Sequence, residues 1–205
     1  SLSSAASDVY KRQVMFFASY SFSADGPFLG LFGIKTDNPA AVVAATDALN
    51  KDCKNPEGVT VTLVAEAFNG SEPTTHTYLV GFPNNAAYVE WNNQIASCAG
   101  WAKYFEAMNP ISEETVSALA FPLAGGGDAS KDTVFVNFFA NVSRPDKFFP
   151  AYQDLMEVAS TDGSCPGSWG LFAIGPGVTP DQFGTHIAFL SLIHISEPTR
   201  PMNIA

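Results

Sequence analysis

The sequence has few basic residues, and this shortage limits the partners it can bind. Its 205 residues include 10 lysines and arginines against 20 aspartates and glutamates, which gives a formal net charge of −10. A chain with so few cations cannot neutralise a phosphate backbone, and an anionic membrane surface would repel it. We therefore expect no nucleic-acid partner and no attraction to acidic membranes.

Long apolar runs and recognisable catalytic signatures are also absent. No segment approaches the roughly 20 uninterrupted apolar residues that a membrane-spanning helix needs, so we predict no membrane insertion. The three cysteines and three histidines follow no zinc-binding spacing. The glycines at 125–127 lack the Lys-Ser/Thr pair of a phosphate-binding loop, and no GxSxG elbow occurs. The sequence therefore assigns no catalytic residue and no metal ligand.

The two ends of the chain are predicted not to be native. Ser3–Gln13 and Leu190–Arg200 resemble, residue for residue, translations of the two adapters that transposase-based sequencing adds to DNA fragments. We therefore expect residues 1–13 and 190–205 to be adapter-derived and outside fold reasoning. The natural, metagenomic protein would then span roughly Val14–Phe189 and be truncated.

The segment Val14–Ala24 has the pattern of a signal-peptide remnant. It is apolar and then turns small and polar, with Ser21 and Ser23 at the −3 and −1 positions of a cleavage site. This favours an exported protein of the bacterial periplasm or the extracellular space. The alternative is that the same residues form the first β-strand of a cytoplasmic domain.

The pattern between residues 25 and 123 predicts the element order β-α-β-β-α-β, with 46% hydrophobic residues in the chain to build a core. Asn38-Pro39 is a helix start, with asparagine as N-cap and proline at the first helical position. An apolar stripe predicts one long second helix, from about Asn84 to Met108. The predicted strands are Leu29–Thr36, Val59–Phe68, Thr75–Phe82 and Thr115–Leu123. This order is that of a ferredoxin-like unit.

The same signals restart after a flexible linker at residues 124–131. In residues 132–189 a strand at Thr133–Val142 precedes Arg144-Pro145, which matches Asn38-Pro39. The helix that follows has a predicted stripe of Phe148, Tyr152, Leu155 and Ala159. A strand at Trp169–Ile174 comes next, and then Thr185-His186-Ile187, which matches Thr75-His76-Thr77. This second unit is incomplete, because it lacks a second helix and a last strand.

This tandem arrangement resembles the dimeric α/β-barrel superfamily, which includes antibiotic-biosynthesis-monooxygenase-like and stress-responsive barrel domains. It is similar, more narrowly, to exported bacterial tandem-repeat proteins. The resemblance implies an α+β fold in which two ferredoxin-like units form an intramolecular dimeric α/β-barrel, the second unit being truncated. It also implies a pocket between the two sheets and a monomeric pseudo-dimer when the chain is complete.

The three cysteines are interpreted through the repeat. Cys53 follows the first helix and Cys98 lies on the second helix of the same unit, so a disulfide between them is predicted. Cys165 matches Cys53, and its partner would lie in the missing segment, which leaves Cys165 unpaired through truncation. The alternative is three buried free thiols in a cytoplasmic protein.

Five residues are candidates for the pocket. His76 and His186 occupy matching positions, where they could act as haem ligands, acid/base groups or hydrogen-bond donors, or could instead anchor a strand end. Trp91 and Trp169 are aromatic candidates, although aromatics at helical spacing usually belong to the core. Glu66, at the end of the second strand, is the acidic candidate. In cofactor-free oxygenases of the resembled superfamily, aromatic pockets bind flat polyphenolic substrates.

Three functions follow from these observations. The first is an exported small-molecule-binding protein for an apolar or aromatic ligand, without catalysis and with no cofactor. The second is a cofactor-independent monooxygenase or a haem-handling enzyme of the dimeric α/β-barrel type. The third is a structural or stress-associated periplasmic protein.

Overall fold

The computed structural model describes residues 25–129, 132, 134–163, 167–177 and 184–191. These residues form an α+β fold in which an antiparallel sheet carries helices on one face. The strands are β1 (Phe28–Lys35), β2 (Thr60–Ala65), β3 (His76–Phe82), β4 (Glu113–Gly126), β5 (Phe135–Ala140), β6 (Trp169–Ile174) and β7 (His186–Ser191). The helices are α1 (Pro39–Asp52), α2 (Asn85–Ser97), α3 (Ala99–Met108) and α4 (Pro145–Asp162).

The seven described strands join into a single curled sheet in the order β2-β3-β1-β4-β6-β7-β5. Every neighbouring pair is antiparallel. The first four strands along the chain take the order β2-β3-β1-β4, and the last three take the order β6-β7-β5. Strand β4 joins the two halves by pairing with β6, while β2 and β5 are the two edges.

The predicted starts of α1 and α2 are confirmed by their caps. Asn38 Oδ1 accepts a hydrogen bond from the Ala41 amide at 3.2 Å, and Pro39 occupies the first helical turn. Asn84 Oδ1 accepts from the Ala87 amide at 2.9 Å. Each asparagine thus satisfies an amide that the helix itself leaves unpaired.

The prediction of one helix from Asn84 to Met108 is wrong, because the chain breaks at Cys98. This residue has an extended backbone, with φ −85° and ψ 120°, and it ends α2 and precedes α3. Cys98 forms a disulfide with Cys53, at a Cα–Cα distance of 6.2 Å, so the predicted pair is confirmed. The break changes the face that α3 turns to the core: Phe105 is exposed, while Met108 is buried.

Helices α1 and α3 are further joined where the disulfide ties them. Lys103 Nζ lies 2.7 Å from Asp52 Oδ2, and this ion pair lowers the pKa of Asp52, first through the hydrogen bond from Lys103. Gly100 is buried against the end of α1. A Cβ at this position would lie 2.6 Å from Cys53 Sγ, which is too close. The absence of a side chain at Gly100 lets the two helices meet.

The predicted linker at 124–131 begins inside a strand. Residues Ala124, Gly125 and Gly126 continue β4 and pair with Leu171, Gly170 and Trp169 of β6. A register shift between Pro122 and Ala124 accommodates the proline within the sheet. A Cβ on Gly126 would lie 2.8 Å from Trp169 Nε1, so the glycine gives room for the indole. Composition suggested flexibility where the glycines serve close packing.

Helix α4 differs from its predicted stripe at Leu155. That side chain is 62% exposed, whereas the neighbouring Met156 is 4% exposed. Met156 therefore takes the position toward the sheet. The predicted positions Phe148, Tyr152 and Ala159 are partly buried.

Several predictions lie outside the described residues. The signal-peptide segment, the first adapter match and Cys165 belong to this group. Leu190 and Ser191, the first residues of the second adapter match, continue β7, and both pair with β5. Among the described residues, no helix has the length and apolar character to cross a membrane.

Candidate functional site

The strand registers assign every sheet residue to one of two faces. Paired residues share a face and successive residues alternate, so the positions that pack under α1, α2 and α3 define the outer face. Phe28, Tyr78, Val80 and Phe82 lie there, and all four belong to the buried core with Trp91. The residues between them define the inner face, which is opposite to these helices.

The inner face is largely apolar and aromatic. Phe189 is the centre of its aromatic group, with ring centroids 5.7 Å from Phe135 and 5.8 Å from Phe172. A Cβ on Gly170 would collide with the Phe189 ring, so this glycine lets the ring lie against the sheet. The first half contributes half-buried leucines and small residues to the same face: Leu29, Leu31, Leu79, Ala118 and Ala120.

A cavity of about 240 Å³ opens at one end of this face. Leu29, Thr60 and Gly81 line it from the first half, and Phe172 lines it from the second. Pro122, on the strand that joins the halves, lies between them. The opening therefore involves both halves of the chain.

Polar groups surround this apolar surface. Thr60, Thr62 and Thr77 lie on its β2–β3 side, and Asn137 lies on β5. Glu66 follows β2, and its amide donates to the Thr75 carbonyl at 2.8 Å, so the strand alternation continues to it. By that alternation Glu66 shares the inner face with Thr62, as the sequence predicted for the less apolar side of β2. Hydroxyl groups and one carboxylate could orient an apolar ligand here.

The repeated Thr-His pair has a defined structural role in the first half. The Thr36 amide donates to Thr75 Oγ1 at 3.0 Å, and the Ile34 carbonyl oxygen lies 3.2 Å from the same atom. His76 Nδ1 lies 3.0 Å from Thr75 Oγ1. The hydroxyl thus ties the end of β1 to the start of β3, and the imidazole adds a further hydrogen bond.

The second half repeats this arrangement atom for atom. The Val142 amide donates to Thr185 Oγ1 at 3.0 Å, and the Ala140 carbonyl oxygen lies 3.3 Å away. His186 Nδ1 lies 2.8 Å from the same hydroxyl. The strand registers agree as well, because His76 pairs with Ile34 as His186 pairs with Ala140.

His186 is buried on the outer face, beside α4. Its side chain is 5% exposed, and its ring centroid lies 6.1 Å from that of Phe148. Burial lowers the pKa of His186, because the charged imidazolium is poorly solvated there. The neutral imidazole is therefore the form that suits the folded state.

We expect this burial to make stability depend on pH. The unfolded chain binds a proton near the ordinary histidine pKa of about 6.5, whereas the folded chain resists it. The stabilisation is therefore fully present above pH about 6.5 and is lost as the pH falls toward the lowered folded pKa. Urea unfolding between pH 5 and pH 8 measures this.

The comparison variant for this measurement is His186→Asn, whose amide can still bond the Thr185 hydroxyl but does not titrate. Its free energy of unfolding should change less between pH 8 and pH 5 than that of the unmodified chain. An equal slope in the two proteins would show that another group titrates instead.

The two tryptophan candidates lie in the helix layers and not on the inner face. Trp91 packs against Phe82 and Trp101, at ring-centroid distances of 5.4 and 5.5 Å. Its buried Nε1 has no hydrogen-bond partner in the described part of the chain. Trp169 packs edge-on against Tyr152 of α4, at 5.9 Å. Both rings therefore serve the core of their own half.

A buried hydroxyl cluster supports the first helix layer. Thr46 Oγ1 and Tyr78 Oη are 2.7 Å apart. Burial, followed by the hydrogen bond with Tyr78, raises the pKa of Tyr104 far above its usual range.

The five predicted site residues are thus not brought together. Trp91 lies in a helix, Trp169 and the two strand-end histidines lie on the outer face of the sheet, and Glu66 alone lies toward the inner face. The residues that the candidate list omitted are the inner-face phenylalanines Phe135, Phe139, Phe172 and Phe189. Their alternation along the second-half strands was the signal that could have identified them.

No family model matches this chain, and no curated protein matches it. Solved structures do. A candidate monooxygenase from Fusobacterium nucleatum has a TM-score of 0.51 and 16% identity, over 81% of this chain and 75% of that one. A candidate monooxygenase from Lactobacillus acidophilus has a TM-score of 0.48 and 13% identity, over 82% and 76%. A chlorite dismutase variant from Candidatus Nitrospira defluvii has a TM-score of 0.42 and 8% identity, over 82% of this chain and 78% of that one.

These proteins belong to the dimeric α/β-barrel superfamily. The chain is similar to them in fold. At 16% identity the likeness to the Fusobacterium protein supports the architecture only.

The repeated histidines do not fit a haem site as they are placed. Both lie on the face that the helices cover. The cavity beside His186, of about 230 Å³, lies on that covered face. No cluster of three or more His, Cys, Asp and Glu side chains that could hold a metal ion occurs within the described ranges.

Proposed function

We propose that this chain is an exported small-molecule-binding protein that holds an apolar or aromatic ligand against the inner face of its sheet. The observation that carries the proposal is the half-buried aromatic group around Phe189, which shares the inner face with the leucines of the first half. An apolar surface that stays partly open to solvent on the concave side of a fold is typical of ligand sites. Threonine hydroxyls at its border would set the ligand's orientation.

The proposal includes two tandem ferredoxin-like units that form the barrel within one chain. The order β6-β7-β5 of the second half repeats the order β2-β3-β1 of the first half, and among the described strands only the first half has a fourth, β4. The repeated Thr-His geometry supports the same division. A strand that paired with the free edges of β5 and β2 would close the barrel and enclose the inner face.

The disulfide supports export. Cys53 and Cys98 are bonded, and such bonds persist in the periplasm or outside the cell but are rare in the cytosol. Export would place the acidic chain where it can meet ligands from the environment. The chain can be exported to the bacterial periplasm behind a leader sequence of known function. Mass spectrometry of the periplasmic protein would then show whether the Cys53–Cys98 bond has formed.

A fluorescent neutral aromatic probe, N-phenyl-1-naphthylamine, tests the ligand site. We expect the probe to bind the unmodified chain. The Leu79→Asp variant should bind it about tenfold more weakly or worse, because the carboxylate places a charge on the apolar inner face. The matched control is Leu155→Asp on the outer side of α4, which should bind as the unmodified chain does. Equal binding by all three proteins would place the probe elsewhere and overturn the proposal.

The second candidate is a cofactor-independent monooxygenase, which the fold likeness to a candidate monooxygenase favours. A haem titration tests the haem-handling alternative, which the placement of the two histidines does not favour. A Soret shift that His76→Ala or His186→Ala abolishes would support haem handling, whereas displacement of the naphthylamine probe by other aromatic compounds would support the binder.

A further inference from the structure

The two halves of the chain differ in how well their outer faces are covered. In the first half, Phe32 is partly buried, and Tyr78 and Val80 are buried under the helices. The matching positions, by strand register from the two histidines, are Phe138, Ala188 and Leu190. Phe138 is 52% exposed, and the other two are half-buried. The same surface is thus closed in one half and open in the other.

The open surface forms a groove beside α4. A cavity of about 230 Å³ lies between Phe138, Phe148, Ala188 and Leu190. Leu155 and Val158 of α4 are each 62% exposed. The helix position that matches Leu155 is Leu49, counted from the prolines that start α1 and α4, and Leu49 is buried.

The first half shows what covers this position. There α3 packs against α1, and α2 places Trp91 against Phe32, with ring centroids 6.1 Å apart. Since Phe138 matches Phe32, the cavity in the second half lies where an aromatic side chain like Trp91 would pack. The groove therefore lies at the position where, in the first half, an aromatic residue of a helix packs against the sheet.

The charge beside the groove is acidic. Asp154 lies four residues before Val158 and therefore on the same side of α4. In the first half, Asp52 of α1 pairs with Lys103 of α3 at 2.7 Å. By the count that matches Leu155 to Leu49, Val158 matches Asp52, so this ion pair has no counterpart on α4.

We propose that the groove formed by Phe138, Phe148, Leu155, Val158, Ala188 and Leu190 binds an amphipathic helix with an aromatic residue on its apolar face. This segment is the counterpart of α2 and α3. The extended residues after it would pair with the free edge of β5, as β4 pairs with β1. The proposal rests on the two-unit architecture proposed above but not on ligand binding at the inner face.

A peptide with the sequence of Asn85–Met108, with Cys98→Ser, is the probe. It is added to the full chain carrying Leu155→Cys and Cys165→Ser, and labelling of the new thiol is followed. At a peptide concentration ten times the Kd, we expect labelling to slow about tenfold. The control Val43→Cys, an exposed position on α1, should label at an unchanged rate.

The peptide with Trp91→Ala tests the aromatic contact, and it should protect Leu155→Cys less than the parent peptide. Two results would overturn the proposal. The first is labelling that the parent peptide does not slow. The second is protection that appears without peptide and rises with protein concentration, since a second copy would then cover the groove. Neither result depends on the naphthylamine probe, whose site is on the other face.

Discussion

Replacing both Cys53 and Cys98 by alanine should lower the free energy of unfolding by about 4 kcal/mol. The bond closes a loop with a sequence separation of 45 residues, and the cross-link removes the corresponding entropy from the unfolded chain. It also fixes the point where α2 and α3 part and holds α1 beside α3. A loss of this size would lower the melting temperature by roughly 10 °C in a domain of this length.

Urea unfolding with and without reductant measures the effect, and Cys165→Ser is the control. That single variant should stay within about 0.5 kcal/mol of the unmodified chain, because Cys165 is not one of the two bonded cysteines. If the unmodified chain is equally stable in reductant, the disulfide contributes nothing and the argument for an oxidising compartment loses its support. If reductant reproduces the double variant, the stabilisation belongs to the bond and not to the side chains.

Much of the fold could be predicted because the starts of its helices depend on hydrogen bonds between residues that are close in the sequence. Asn38-Pro39 and Asn84 mark helix starts by hydrogen bonds that only a few side chains can make. The Thr-His repeat was visible as letters before its hydrogen bonds to β1 and β5 were known. The Cys53–Cys98 pair followed from placing two cysteines on neighbouring helices.

The errors arise where tertiary contacts override a local pattern. The apolar stripe of the second helix continues through Cys98 without interruption, so nothing in its periodicity predicts a break that the bond to Cys53 accommodates. The glycines at 125 and 126 have the composition of a linker, yet they belong to β4 beside Trp169. Leu155 fits a helical stripe, but burial also requires an element to cover it.

The candidate site was predicted less well than the fold. The histidines attracted notice because they are rare and repeated, and the structure gives both of them to strand ends on the outer face. The inner-face phenylalanines were less conspicuous among 17 in the chain. Their common face becomes evident only when the registers of β5, β6 and β7 are known.

The two matched leucines of α1 and α4 should respond very differently to truncation. Leu49→Ala should cost about 2–5 kcal/mol, because it removes a buried side chain and leaves a cavity. Leu49 is 9% exposed, whereas Leu155 is 62% exposed. Leu155→Ala should therefore stay within about 0.5 kcal/mol of the unmodified chain, as surface substitutions usually do.

Urea unfolding of the two single variants, at equal protein concentration, gives the comparison. The same measurement is then repeated with the Asn85–Met108 peptide bound. The loss of unfolding free energy caused by Leu155→Ala should then rise toward the loss caused by Leu49→Ala. A large cost at Leu155 without peptide would mean that the groove is already covered in solution. If Leu49→Ala instead lowered the free energy of unfolding only slightly, α1 would not be packed as the structure shows. Leu49 could then no longer serve as the buried reference for Leu155.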